Sequence, residues 1–248
     1  MNLNKYMSMK NCEIPSEIKH NICESSITKT RFEDKNDILE KVELRLEYGF
    51  ERLEDDSYLV SMYTPMPNVT KEMVDWWFWW HPQNSKRYQA WYPGEHKSSS
   101  VARKDAHYFQ QELVPEFQAN TQYPVERVGA LLIPLAIEFV QPDEFGFSKR
   151  IMEEQQVEVI VCGHVSAFKG LIPNTEMSHV FFREEKGLLL VSRFWLGKNV
   201  KNKVLKKLLL TDKQAQDMAE HCCIEYRNFN ERIPLMYQEW VKERKGLM

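Results

Sequence analysis

Cysteine is sparse in this 248-residue chain and carries no framework spacing. The five present (Cys12, Cys23, Cys162, Cys222 and Cys223) form no CxxC pair, and no secretory leader is evident ahead of them. This points to a reduced, cytoplasmic protein instead of a disulfide scaffold. There is no apolar run near the roughly 20 residues that a membrane helix needs. The longest candidate, VGALLIPLAIEFV (128–140), is short and interrupted by Pro134. A basic surplus is missing too: the formal net charge is −3, which argues against a nucleic-acid partner. Internal repeats and low-complexity tracts are also absent.

What remains is an ordinary globular composition, 43% hydrophobic and 28% charged, long enough for a large core. Aromatic residues stand out, with seven Trp and thirteen Phe. They suit an aromatic-lined cavity, although an aromatic core is the ordinary explanation.

Residues 1–36 are polar without sustained periodicity and read as an extended arm or a loosely packed cap. Residues 36–48 fit a short helix or a strand equally well. Tyr58–Thr64 is β-rich and closed by Pro65 and Pro67. Thr70 is placed to cap a helix through Trp80, apolar on nearly all sides, which delivers His81 and stops at Pro82. Residues 128–140, 156–167, 177–183 and 187–196 are β-rich, with EEKG as the tight connection between the last two. From Thr211 to about Lys245 the pattern is helical, with Thr211 or Asp212 as cap and Pro234 expected to kink or divide it. This order predicts an α+β fold: a curved antiparallel sheet gripping a long C-terminal helix, with a ligand cavity between them. The expected organisation is an N-terminal arm or small cap over residues 1–50 and a main domain over 51–248.

The most informative pair is His221 and Glu225, in MAEHCCIEYRNF. At about 100° per residue, an i,i+4 pair shares one helix face, so an imidazole and a carboxylate can reach one point. That combination suits a zinc-like metal. A second such set lies upstream: His81, ending WWFWWH, and Glu112, in QQELVPEF. Each has a plainer reading. A His–x3–Glu spacing is most often a surface ion pair, and a His after five aromatics is most often a buried, hydrogen-bonded one. His96 and His107 are rival ligands, and Glu116 rivals Glu112. Cys222 and Cys223 point to other helix faces and read as small buried residues.

The stretch NVTKEMVDWWFWWHPQNSKRYQAWYPGEH (68–96), the hairpin SHVFFREEKGLLLVSRFWLG (178–197) and the C-terminal HCCIE together resemble the diacetylphloroglucinol hydrolase family, which includes phloretin hydrolase. The resemblance spans roughly residues 58–230. It implies a Bet v 1-like helix-grip fold and hydrolysis of a carbon–carbon bond joining an acyl group to a polyhydroxylated ring. It also implies one zinc ion per chain, held by two His and two Glu. Position by position, these ligands match His81, Glu112, His221 and Glu225. The QQELVPEF setting of Glu112 departs from the apolar, Gly-containing surroundings of the family. Asn84 matches a residue that contacts ring hydroxyls, with Tyr88 as a neighbouring polar group. A catalytic strand His matches His179, with His164 as its rival; Glu112 could serve as a base. Strand alternation sets His179, Phe181 and Arg183 on one face, which could point into the cavity. The expected partner is a small acylated phenol or a related diketone, with neither nucleic acid nor membrane, and the family's habit implies a homodimer. The alternatives are a non-catalytic helix-grip protein that binds an apolar aromatic ligand, and a metal-dependent lyase or hydratase on the same scaffold.

Overall fold

In the computed structural model, residues 1–24, 26–168 and 172–246 are described. Among them nine strands form one antiparallel sheet: β1 (Gly49–Arg52), β2 (Tyr58–Met66), β3 (His96–Ser98), β4 (Asn120–Gln122), β5 (Val125–Val128), β6 (Leu131–Val140), β7 (Val157–Ala167), β8 (Ile172–Arg183) and β9 (Leu188–Leu196). Their order is β1-β2-β9-β8-β7-β6-β5-β3, with β4 also paired to β6. The long helix Asp212–Arg244 follows the last strand. The α+β architecture expected from the sequence, an antiparallel sheet with a long C-terminal helix against it, is what the chain adopts.

Both faces of the central strands are covered, and alternation sorts their side chains. On β8, Met177 and Phe181 join the core beneath the C-terminal helix, together with Val60, Met62, Val161, Leu190 and Phe194. Val180 and Phe182 point the other way, to a second core with Ile160, Val191 and Trp195. That core is closed by Ile38 and Leu39 from one short helix and by Phe145, Phe147 and Ile151 from the 142–154 segment. β9 is covered on both sides and buried at all nine positions; seven are apolar, and the two polar ones find partners inside, Ser192 with His179 and Arg193 with the Ser192 carbonyl. The ambiguous 36–48 segment becomes two short helices, Asp37–Glu40 and Val42–Arg45.

The aromatic segment forms a helix over Lys71–Trp80, with every residue from Val74 to Trp80 buried. Trp76 packs against Tyr237 and Trp240 of the C-terminal helix, with ring centroids 5.3 and 5.6 Å away. Trp77 meets Phe229 edge-on. Pro82 lacks the N–H that would continue the helix, and the chain tightens into a 3₁₀ turn over His81–Gln83. The C-terminal helix opens with a complete capping box between Thr211 and Gln214, and it runs through Pro234 without dividing. Packing on both sides of that segment holds the helix where propensity alone would break it: Asn230, Ile233, Pro234 and Met236 are all buried.

The first 24 residues are more ordered than their composition suggests. They form helices Leu3–Met7 and Ser16–Glu24, and Tyr6 and Ile22 are buried in the main core. The buried Arg232 fixes this segment by donating to the carbonyls of Met9 and Lys10 (3.2 and 3.0 Å) and of Ala90 and Trp91 (3.2 and 2.9 Å). Among the described residues, no helix is long and apolar enough to cross a membrane.

Candidate metal centre and cavity

Two local geometries meet between the sheet and the C-terminal helix. Helical periodicity places His221 and Glu225 side by side on the buried face of that helix. Opposite them, the antiparallel register of β3 and β5 sets His96 directly across from Glu126. Paired positions on adjacent antiparallel strands hold their Cβ atoms about 5 Å apart, so these two side chains also converge. His96 Nε2 lies 3.2 Å from Glu225 Oε1 and 3.6 Å from Glu126 Oε2, and His221 Nε2 lies 3.8 Å from Glu126 Oε2. One donor atom from each of the four falls within 4.8 Å of the others.

The electrostatics of this cluster ask for a cation. Burial holds the imidazoles neutral, pushing His96 down to about 4 and His221 down to about 3. Burial also drives Glu225 up to about 8 and raises Glu126, which the neighbouring Glu225 raises further. Two buried carboxyls side by side are costly as anions unless a positive charge lies between them. Nε2 of both His96 and His221 is buried without a hydrogen-bond partner. His96 Nδ1 lies 3.1 Å from the Tyr88 carbonyl, so Nδ1–H donates there and Nε2 keeps the lone pair facing the carboxylates. Nitrogen and oxygen donors, two of each, match the ligand chemistry of zinc and of neighbouring transition metals.

The surroundings brace these four. Tyr88 stacks on His96, with centroids 3.8 Å apart and planes 6° from parallel, and its hydroxyl donates to Glu126 Oε2 at 2.8 Å. Trp91 Nε1 donates to the Glu225 carbonyl at 2.9 Å. Glu126, His221 and Glu225 of the cluster line a cavity that His81, His179 and Tyr226 line as well. His179 is buried, its Nδ1 is 2.8 Å from Ser192 Oγ, and burial lowers it to about 3.

Of the ligands expected from the sequence, His221 and Glu225 lie in the cluster and the other two do not. His81 lines the same cavity, with its Nδ1 2.7 Å from the Trp77 carbonyl one turn back, but it is not among the four residues whose donor atoms converge. Glu112 is exposed, and its backbone carbonyl accepts from Arg244 at 2.7 Å, outside the cavity. Its rival Glu116 is exposed and pairs with Lys71, and His107 is exposed as well. His96 was weighed as a rival ligand. Glu126, on the short strand β5, is not among the ligands that the sequence motifs point to. The available signal was a lone acid between Pro124 and Gly129, thirty positions after a His that opens a strand of its own.

The remaining candidates divide similarly. Tyr88 and His179 line the cavity. Asn84 is exposed and caps the helix Ser85–Trp91 by accepting from Lys86 N at 2.9 Å. His164 lies on the opposite sheet face, with Nδ1 2.6 Å from Glu176 Oε2 and its ring 5.7 Å from Phe145. Arg183 ends its strand exposed and paired with Glu158.

Comparison with known proteins fits these observations. Residues 29–238 match the DAPG hydrolase PhiG domain family. The chain belongs to this family. It is 31% identical over 175 residues to the 2,4-diacetylphloroglucinol hydrolase of Pseudomonas protegens, covering 66% of this chain and 54% of that one. It is 30% identical over 203 residues to the phloretin hydrolase of Eubacterium ramulus, covering 77% of this chain and 71% of that one. The chain thus spans about half the length of the first of these relatives. Among solved structures, Ara h 8.0201 aligns with a TM-score of 0.42 at 8% identity, over 71% of this chain and 96% of that one.

Proposed function

We propose that this DAPG hydrolase family member is a metal-dependent hydrolase that cleaves the carbon–carbon bond between an acyl group and a polyhydroxylated aromatic ring. The observation that carries this reading is the convergence of donor atoms from His96, Glu126, His221 and Glu225, the last three of which also line a cavity between sheet and helix. The names of the two relatives support the substrate class.

The overall reaction adds water across the bond. The water oxygen goes to the acyl carbon, the bonding pair leaves with the ring carbon, and that carbon takes a proton. The products are a carboxylic acid and the deacylated phenol. A polyhydroxylated ring makes this feasible because it can ketonise. A divalent ion held by the four residues, zinc being the best match, would supply Lewis acidity toward the acyl carbonyl.

The other groups handle protons and orientation. His179 is neutral in the cavity, and with Nδ1–H given to Ser192 Oγ its Nε2 is free to accept a proton from water. Tyr88 keeps its proton, because burial raises it well above the usual phenol value, and it fixes the orientation of Glu126. Phe78, Trp91 and Phe139 line the same chamber and exclude bulk water.

The test is metal analysis followed by product analysis. The purified protein, loaded with zinc, is incubated with an acylphloroglucinol, and the acid and free ring are quantified by liquid chromatography. One metal per chain and equimolar products, both lost in His221→Ala, are expected. Metal binding with no acid released would overturn the hydrolase reading. Tight binding of the phenol without turnover would instead favour a ligand carrier.

A further inference from the structure

The cavity does not end at the cluster. Glu126, Ile137, Met177, Phe194 and Met218 line it and also line a second, adjoining chamber, so the two share a wall. The chambers differ in size and character. The inner one, at the four-residue cluster, is about 60 Å³. That is room for a reacting carbonyl and a water, and well short of the roughly 150 Å³ in which a protein cavity holds benzene. The outer one is about 390 Å³, more than twice that benchmark. Its interior is aliphatic, and its polar residues are Glu126 at the junction with Thr175, Thr211, Gln214 and Asp217.

The outer chamber is written into β6 by alternation. Leu131, Ile133, Leu135 and Ile137 occupy every second position and all face it. Ile133, Leu135 and Ile137 are only half-buried, whereas Met177 and Phe194 on the neighbouring β8 and β9 are buried. Interior-facing aliphatic side chains that stay half-buried gain stability when an apolar group covers them.

We infer that the outer chamber selects acylphenols whose acyl group is a long alkanoyl chain, on the order of six or more carbons. The inference rests on the proposed hydrolase for the reactive end of the substrate. The carbonyl seats beside Glu126, and the ring and the acyl chain both extend into the outer chamber; with a benzene-sized ring taking roughly 150 Å³ of it, the remaining space runs along the aliphatic face of β6. An acetyl group would leave most of that face uncovered. The aliphatic face of β6 also distinguishes an alkyl tail from a hydroxylated one, which would find no side-chain partner on that face.

The experiment uses zinc-loaded protein and phloroglucinols bearing acetyl, butanoyl, hexanoyl and octanoyl groups. Each added methylene should raise kcat/KM roughly fourfold until the chamber is filled. Ile133→Trp, which fills the chamber, should flatten this dependence; Leu135→Phe serves if that variant does not fold. In parallel, tryptophan fluorescence measures wild-type affinity for 5-alkylresorcinols, which have no acyl bond to cleave. Acetyl substrate turned over with no preference for longer chains would overturn the inference and leave the hydrolase reading intact. Affinity that rises with alkyl length, with no acylphenol cleaved, would support the chamber and sink the hydrolase. Neither rate nor affinity responding to chain length would overturn it outright.

Discussion

Replacing Glu126 by Gln separates the observed cluster from the one expected from the sequence. The substitution keeps the volume and an oxygen that can accept from Tyr88, but it removes one of four donors, and its counterpart Glu112→Gln alters an exposed side chain. Loss of a supporting residue beyond the ligands typically costs 10–100-fold in metal affinity, so loss of a ligand should cost about 100-fold or more. At free zinc near 100 times the wild-type Kd, binding stabilises the wild type by about 2.7 kcal/mol, and a variant bound 100-fold more weakly by about 0.4 kcal/mol. At roughly 2–4 °C per kcal/mol for a chain of this size, the zinc-induced rise in Tm should be smaller by about 5–9 °C. The metal-free proteins should differ in the opposite sense. Burial and Glu225 both raise the Glu126 carboxyl, so a neutral amide removes a cost and should leave the apo Tm unchanged or higher. The assay is differential scanning calorimetry with and without zinc, plus metal analysis after dialysis. If Glu126→Gln retains the full zinc shift while Glu112→Gln loses it, the site assigned here is wrong.

Three further outcomes are expected. His179→Gln should keep full metal content while kcat falls by about 10²–10⁴; loss of metal would make His179 a ligand. His164 donates from Nδ1 to the Glu176 carboxylate, and this bond raises its pKa above the unfolded value. Its contribution is therefore complete below about pH 6.5 and fades as pH climbs through the folded value. With the side chain 45% exposed the effect stays under ~1 kcal/mol, and urea unfolding of His164→Gln should show a larger penalty at pH 5.5 than at pH 8.5; an equal penalty would exclude the linkage. Arg232→Met strips a buried charge from four backbone carbonyls and should cost about 3–5 kcal/mol in urea unfolding. A cost below ~1 kcal/mol would show that the N-terminal segment is held by its apolar contacts alone.

Local periodicity carried much of the fold and half of the centre. The capped C-terminal helix, the aromatic helix ending at His81 and the β8–β9 hairpin follow from patterns within ten or fifteen residues. His221 and Glu225 follow from helical spacing, which fixes their relation before any tertiary contact forms. The N-terminal helices were opaque because Tyr6 and Ile22 are isolated apolar residues, and Arg232, more than two hundred positions away, orders the segment. His96 and Glu126 were opaque for a similar reason: β3 and β5 are three and four residues long, and nothing local states that they pair. His81 stands out in the sequence because a conspicuous string precedes it, yet those aromatics serve packing and its ring lies outside the group of converging donor atoms.

The two halves of the centre also differ in what holds them. The helical pair sits in a 33-residue helix whose buried face runs from Ala215 to Met236, so its geometry survives small changes elsewhere. The strand pair sits on the short outer strands of the sheet, and its register shifts between His96 and Ser98. It needs external support. Tyr88 covers His96 by stacking and holds Glu126 by hydrogen bond, and Trp91, on the same helix, reaches across to the Glu225 carbonyl. One helix, Ser85–Trp91, therefore ties the strand pair to the helical pair, and the carbonyls of its last two residues, Ala90 and Trp91, are what Arg232 grips. The chain of support runs from the N-terminal segment through Arg232 and this helix to the four donor atoms. Damage at Arg232 should thus weaken zinc binding as well as stability, whereas an equally destabilising cavity in the second core, such as Phe182→Ala, should leave the affinity of the folded protein unchanged.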